Sequence, residues 1–285
     1  SMAKTRELLR RENLNGVSAI FGPLEPESLK EVALQAVQYN VPVLAPLTEG
    51  SSLSLNNVFF ALPSEKVMQE HMMTYVSEKR TNENIIIIAD AKNKPTEIDL
   101  LKRFPGARTV VLKEDRTVNI DQITALLSPT VENWVFLETD QSNVVYHVAS
   151  LLNSLISKER NIRLFTTDKN KSFDNAVVSY SHLSNLRFTY PSPSREITDT
   201  GFARSYRKRF GSDPDTYAVR GFDLTYDLLL KLAYKNDLIG ASKLIGETEY
   251  TGNKFNFIKN TSSGYFNEAS YIIGYENMQL VEIKD

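Results

Sequence analysis

Residues 16–52 constrain the fold of this chain more than any other stretch. Val17–Phe21 is a short apolar run closed by Gly22-Pro23, the pattern of a buried strand that stops abruptly. Pro26-Glu27-Ser28 then opens a segment with Leu29, Val32, Ala33, Ala36 and Val37 at helical spacing. Asn40 ends it, and Val41–Ala45 repeats the β-branched run, cut off by Pro46. A strand, a helix and a strand in so little chain predict a right-handed crossover between parallel strands. Ligands of such sheets bind where the carboxyl ends of the strands open into loops, here 22–28 and 46–54.

The same alternation runs on through the chain. Ser64 is a candidate cap for a helix over Lys66–Lys79, and Asn84–Ala89 (NIIIIA) predicts a strand buried on both faces. Helices are expected over Lys94–Phe104, Ile120–Leu127 and Ser142–Ser157. Strands are expected over Arg108–Leu112, Glu132–Leu137, Ile162–Thr166 and Leu186–Thr189. Pro191-Ser192-Pro193-Ser194 is the clearest break. Two helices follow, Asp199–Phe210 and Tyr217–Tyr234. Phe222, Leu224, Tyr226, Leu228, Leu229, Leu230 and Leu232 make the second apolar on most sides, which predicts burial between layers. The tail from Thr248 reads as short strands. The expected fold class is α/β, with two doubly wound parallel-sheet lobes and a cleft between them, the first lobe incomplete. The expected division is 1–80 plus 194–248 and 81–193 plus 249–285, with linkers near Ser77–Asn82, Tyr190–Arg195 and Gly246–Gly252.

Composition narrows the function. A net charge of −2 over 285 residues gives no reason to expect nucleic acid, and the cations between Arg195 and Arg209, mixed with Asp199 and Phe202, read as a solvated helix face. Cysteine is absent, which removes disulfides and thiol chemistry. No apolar run is long enough to span a membrane. His71, His147 and His182 lack metal-ligand spacing, and no nucleophile elbow or phosphate-binding glycine loop follows a strand. Neither a cofactor nor an enzymatic activity is expected. Ser1-Met2 resembles a cloning remnant, so a targeting segment can precede residue 1.

GVSAIFGP (16–23), NVPVLAPLTEGSSL (40–53) and VFFALPSE (58–65) resemble the first lobe of type I periplasmic binding proteins of the branched-chain amino acid receptor kind. FARSYRKRFGSDPDTYAVRGFDLTYDLLLKLA (202–233) is similar to that family's Phe-x-x-x-Tyr helix, Pro-x-x-Tyr-Ala turn and Gly-Tyr-Asp helix, with Phe222 in place of the usual tyrosine. TGNKFNF (251–257) is similar to its closing strand motif. A narrower resemblance is to the binding-protein-like modules that follow peptidoglycan-binding repeats in Bacteroidetes-type lipoproteins.

The resemblance implies a periplasmic or outer-envelope solute-binding protein that takes a small polar, amino-acid-like ligand for ABC-type uptake or sensing. The alternative is an envelope interaction module that keeps the fold without the small-molecule site. The ligand residues it implies are Leu24, Glu25, Leu47, Thr48, Glu49, Ser51 and Ser52 in the first lobe. Across the cleft they are Thr139, Asp140 and Asp168, with Tyr190 at the hinge and Tyr217 at the position where an aromatic side chain covers the ligand. Each has a plainer reading: a turn or helix cap for Asp140 and Asp168, hinge packing for Tyr190, an interlobe core contact for Tyr217. Two departures from the family pattern stand out. A carboxylate at Glu49 would repel an anionic ligand by about 1 kcal/mol or more at partly buried separations. The family's opening strand, helix and strand have no counterpart, so Val17–Phe21 is expected to present a bare edge through which a homodimer can form.

Overall fold

The computed structural model describes residues 2–49, 55–112, 119–158, 160–197, 200–259 and 263–284. In chain order its elements begin with α1 (Met2–Arg11), β1 (Ile20–Phe21), α2 (Pro26–Ala36), β2 (Val43–Ala45), β3 (Val58–Phe60) and α3 (Glu65–Lys79). There follow β4 (Asn84–Ala89), α4 (Lys94–Arg103), β5 (Arg108–Val111), α5 (Ile120–Leu126), β6 (Asn133–Glu138), α6 (Ser142–Leu155), β7 (Ile162–Phe165), α7 (Tyr180–Asn185) and β8 (Thr189–Ser192). Three helices come next, α8 (Gly201–Phe210), α9 (Thr216–Tyr234) and α10 (Leu238–Ile245). The tail holds β9 (Thr248–Glu249), β10 (Lys254–Phe255), β11 (Phe257–Lys259), β12 (Tyr265–Asn267), β13 (Tyr271–Glu276) and β14 (Gln279–Glu282).

The chain divides into two compact units, residues up to Val67 with Pro193–Ser270, and Met68–Ser192 with Tyr271 onward. The first unit carries a sheet of order β1-β2-β3-β12-β11 and the second one of order β14-β13-β8-β7-β6-β4-β5. Both are mixed, not purely parallel. β1, β2, β3 and β12 run parallel, as do β4 to β8, whereas β11, β13 and β14 join antiparallel. The expected placement of 249–285 in one lobe fails. Tyr265 and Phe266 pair with Phe59 and Phe60 of β3, which takes the tail up to Ser270 into the first unit.

Strand alternation explains the layering. In the second unit Ile86 and Ile88 of β4 join Val135 and Leu137 of β6 and Val145, Val148 and Leu152 of α6 in one core. Ile85 and Ile87 turn the other way, onto Trp134, Phe136 and Met72, Met73 and Val76 of α3. NIIIIA therefore has no polar face, because both sides of β4 are covered. In the first unit Val43, Ala45, Val58 and Phe60 face Leu29, Val32 and Ala33 of α2, while Leu44 and Phe59 face Leu224 and Leu228 of α9. Ser64 caps its helix as expected, its Oγ accepting from the Val67 N–H at 3.3 Å, and Asp215 caps α9, its Oδ1 accepting from the Ala218 N–H at 2.7 Å.

Two further expectations do not hold. The strand expected over Leu186–Thr189 lies at Thr189–Ser192, after a short helix, α7. Pairing with β7 stops at Thr189, so the absent N–H of Pro191 costs no bond on that side. The second correction is larger. The stripe that α9 buries is Val219, Arg220, Asp223, Leu224, Asp227, Leu228 and Lys231, while Phe222, Tyr226, Leu229 and Leu230 are exposed. The helix buries four charged side chains beside Val219, Leu224 and Leu228, which its hydropathy does not announce.

Candidate functional site

Because β1, β2 and β3 run parallel, the segments 22–25, 46–49 and 61–64 leave the first sheet at the same end. Leu24 is exposed, and Glu25 sits at the N-cap position of α2 without capping it; its Oε2 accepts from Ser28 Oγ at 3.3 Å. Leu47 is half-buried and Glu49 exposed. Thr48 differs from its neighbours. Its Oγ1 is sealed from solvent and has no hydrogen-bond partner among the described residues, a state that costs about 1–3 kcal/mol when nothing satisfies it. Ser51 and Ser52 lie outside the described residues. Tyr217, in the first turn of α9, is 70% exposed and so is not a buried core contact.

In the second unit the carboxyl ends of β4, β6 and β7 converge on a polar cluster. Glu138, the last residue of β6, is buried; the Thr167 N–H donates to its Oε1 at 2.8 Å and Thr167 Oγ1 to its Oε2 at 2.9 Å. Burial pushes its carboxyl up to about 8 against these donors, with Asp168 adding repulsion. Thr139 is spent internally: its hydroxyl donates to Asp90 Oδ2 at 2.8 Å and accepts from the Gln141 N–H at 3.1 Å. Asp140 pairs with Lys92 at 2.7 Å; Lys92 and Gln141 hold its carboxyl below the ordinary range. Asp168 is exposed. Tyr190 is buried in an aromatic cluster with Phe188 and Tyr275, under Lys169, whose Nζ lies 5.2 Å from the ring centroid. Of the predicted residues, Leu24, Glu25, Leu47, Thr48 and Glu49 thus follow β1 and β2 of the first sheet, and Thr139, Asp140 and Asp168 follow β6 and β7 of the second, whereas Tyr190 lies within β8 and Tyr217 in the first turn of α9.

Sequence reasoning missed the polar interior of α9. Asp223 Oδ2 accepts from the Gly252 N–H at 2.8 Å and Asn253 Nδ2 at 2.9 Å, and its Oδ1 from the Thr251 N–H at 3.2 Å. Asp227 accepts from Lys231 Nζ at 2.8 Å, Thr248 Oγ1 at 2.7 Å and Tyr250 Oη at 3.0 Å. Burial and the Asp227 carboxylate push the Tyr250 hydroxyl up, so it stays a donor. The spacing 220, 223, 227, 231 was a legible signal for one polar face. The aspartate of the Gly-Phe-Asp motif is therefore a clamp on the turn between β9 and β10. Among the described residues no group of three His, Asp or Glu side chains could hold a metal ion, and no helix is long and apolar enough to cross a membrane.

No protein-family profile matches the chain, and no curated protein matches it in sequence. Solved structures do. A putative branched-chain amino acid ABC transporter protein from Rhodospirillum rubrum aligns at TM-score 0.66 and 12% identity, over 99% of this chain and 85% of that one. An ABC transporter substrate-binding protein from Desulfitobacterium hafniense, solved in complex with Leu, aligns at TM-score 0.55 and 13% identity, over 99% of this chain and 84% of that one. Full-length LpoA from Haemophilus influenzae aligns at TM-score 0.56 and 8% identity; this chain spans 50% of it. The parallel-strand units joined at Pro193, the antiparallel tail strands and these alignments agree that the chain has the α/β fold of type I periplasmic binding proteins.

Proposed function

We propose that this chain is a non-enzymatic, extracytoplasmic binding module that takes a small polar, amino-acid-like ligand at the carboxyl end of the first sheet. The observation that carries the proposal is Thr48 Oγ1, a sealed hydroxyl with no partner among the described residues, in the loop after β2 that the family resemblance assigns to the ligand. A ligand acceptor or donor there would recover the hydrogen bond that the protein leaves unmade. The exposed ring of Tyr217 is free to pack on a ligand, and the D. hafniense neighbour binds Leu on the same fold. A thermal-shift screen of amino acids, short peptides and sugars tests the reading. A ligand at a hundredfold its Kd adds about 2.7 kcal/mol, or roughly 5–10 °C for a unit of this size. Thr48→Val, which keeps the shape and deletes the hydroxyl, is expected to lose that response. A screen without a single positive would overturn the proposal.

A second reading, an interaction module of the cell envelope, draws on the apolar face of α9: Phe222, Tyr226, Leu229 and Leu230 are exposed without a polar neighbour between them on the helix surface. On that reading the free edge of β1, which pairs with β2 alone among the described strands, is where a second copy would add its own strand. Sedimentation equilibrium showing a monomer at high concentration would remove the dimer.

A further inference from the structure

Among the described residues the buried charged side chains are Glu97, Glu138, Arg220, Asp223, Asp227 and Lys231. Lys94 pairs with Glu97 at 2.7 Å, Thr166 and Thr167 donate to Glu138, three donors reach Asp223, and Asp227 pairs with Lys231. Arg220 is 6% exposed and, among the described residues, has neither a hydrogen bond nor an ion pair. Asp223 lies one turn on along the same stripe, but its oxygens are occupied by Thr251, Gly252 and Asn253. Among the described residues Thr48 Oγ1, Arg160 Nε, Arg163 Nε and Ser242 Oγ are sealed from solvent without a hydrogen bond, and no atom of Arg220 is in that state; its guanidinium nitrogens therefore keep a path to solvent. Burial pushes its pKa down to about 10, with Tyr217 and Asp223 pulling the other way, which leaves the group a cation at neutral pH.

A guanidinium that is largely buried, with only a narrow path to water and no protein acceptor, loses hydration without a compensating partner. We infer that Arg220 is the anchor of an anion site on the first unit and that its ligand is a small organic carboxylate. The planar fork of the guanidinium matches two coplanar oxygens, so one side chain suffices for bidentate recognition. A dianion such as phosphate fits less well, because the Asp223 carboxylate lies one turn on along the same stripe and acts on the guanidinium. Tyr217, three residues earlier and on the same face of the helix, is placed to cover the ligand's apolar part. The site does not depend on the loop at Thr48 and stands whether or not that loop holds a ligand.

The test is titration of the full chain with sodium acetate, with sodium chloride at matched ionic strength as the reference and inorganic phosphate as a third arm. The readouts are the melting temperature and the Nε–H resonance of Arg220, assigned by its loss in Arg220→Met. Acetate is expected to raise the melting temperature and move that resonance, with a weaker effect from phosphate and none from chloride. Arg220→Met, which fills the same space without charge, should abolish the response, and Arg220→Lys should weaken apparent affinity by about tenfold through loss of the fork. An Arg220 resonance that acetate leaves unmoved relative to chloride overturns the proposal, as does an equal thermal response in Arg220→Met. A phosphate response larger than that of acetate overturns the assignment to carboxylates.

Discussion

Replacement of Lys231 by methionine, or of Asp227 by leucine, separates a buried ion pair whose members are each about 1% exposed and 2.8 Å apart. Either single change strands a charge where water does not reach. Lys231→Met leaves the Asp227 carboxylate with Thr248 and Tyr250 as its donors. Asp227→Leu leaves an ammonium over the Phe257 ring, 5.1 Å from its centroid, with no carboxylate beside it. Loss of one partner of such a pair costs about 3–5 kcal/mol, whereas replacing both by apolar groups is often near neutral. The double variant should be within about 1–2 kcal/mol of the parent, since Thr248 Oγ1 keeps the Phe255 carbonyl at 3.2 Å and the half-buried Tyr250 can turn to water. A double-mutant cycle by urea unfolding, followed by far-ultraviolet circular dichroism, should therefore show a coupling of about 3 kcal/mol or more. Burial holds the Lys231 ammonium below the ordinary lysine range, against the pull of Asp227. In Asp227→Leu the unfolded chain keeps this proton to higher pH than the folded one, so the deficit should shrink as pH rises on the alkaline side. Losses that simply add in the double variant, or a deficit that grows with pH, would refute the reasoning.

Three further outcomes are expected. Glu138, pushed up to about 8 by burial, binds a proton in the folded state that the unfolded chain releases near 4.5, so stability falls as pH rises between those values. Glu138→Gln removes the slope, and the stability difference between variant and parent should move by about 2–3 kcal/mol in favour of the variant from pH 5.5 to 7.5; parallel curves would show that the group does not titrate there. On α9, Leu224→Ala should cost about 2–5 kcal/mol because the side chain is 0% exposed, whereas Leu229→Ser, 59% exposed, should stay within about 0.5 kcal/mol. Equal losses would mean that the exposed face is covered in solution. Asp223→Ala strands the N–H groups of Thr251 and Gly252 and should cost about 2–4 kcal/mol by chemical denaturation, while Asp213→Ala, whose partner Arg207 is half exposed, should cost less than about 1 kcal/mol.

The sequence by itself determined most of the elements. Strict local causes fix them: β-branched runs at 43–45 and 84–89, capping by Ser64, Asp215 and Thr200, and a left-handed stop at Asn40. Such signals act over a few residues and survive in the chain as pattern. Hydropathy failed at α9, because a helix buries whatever its partner demands, and this one faces a hairpin turn whose backbone donors need carboxylates rather than methyls. The same limit hid the tail's allegiance: nothing near Tyr265 announces that it will pair with Phe59, two hundred residues earlier. It also hid the difference between Thr139, spent on Asp90, and Thr48, left unsatisfied, which are identical hydroxyls after similar strands. Whether a polar atom is free is a property of what surrounds it in three dimensions, and only the tertiary structure brings those neighbours together.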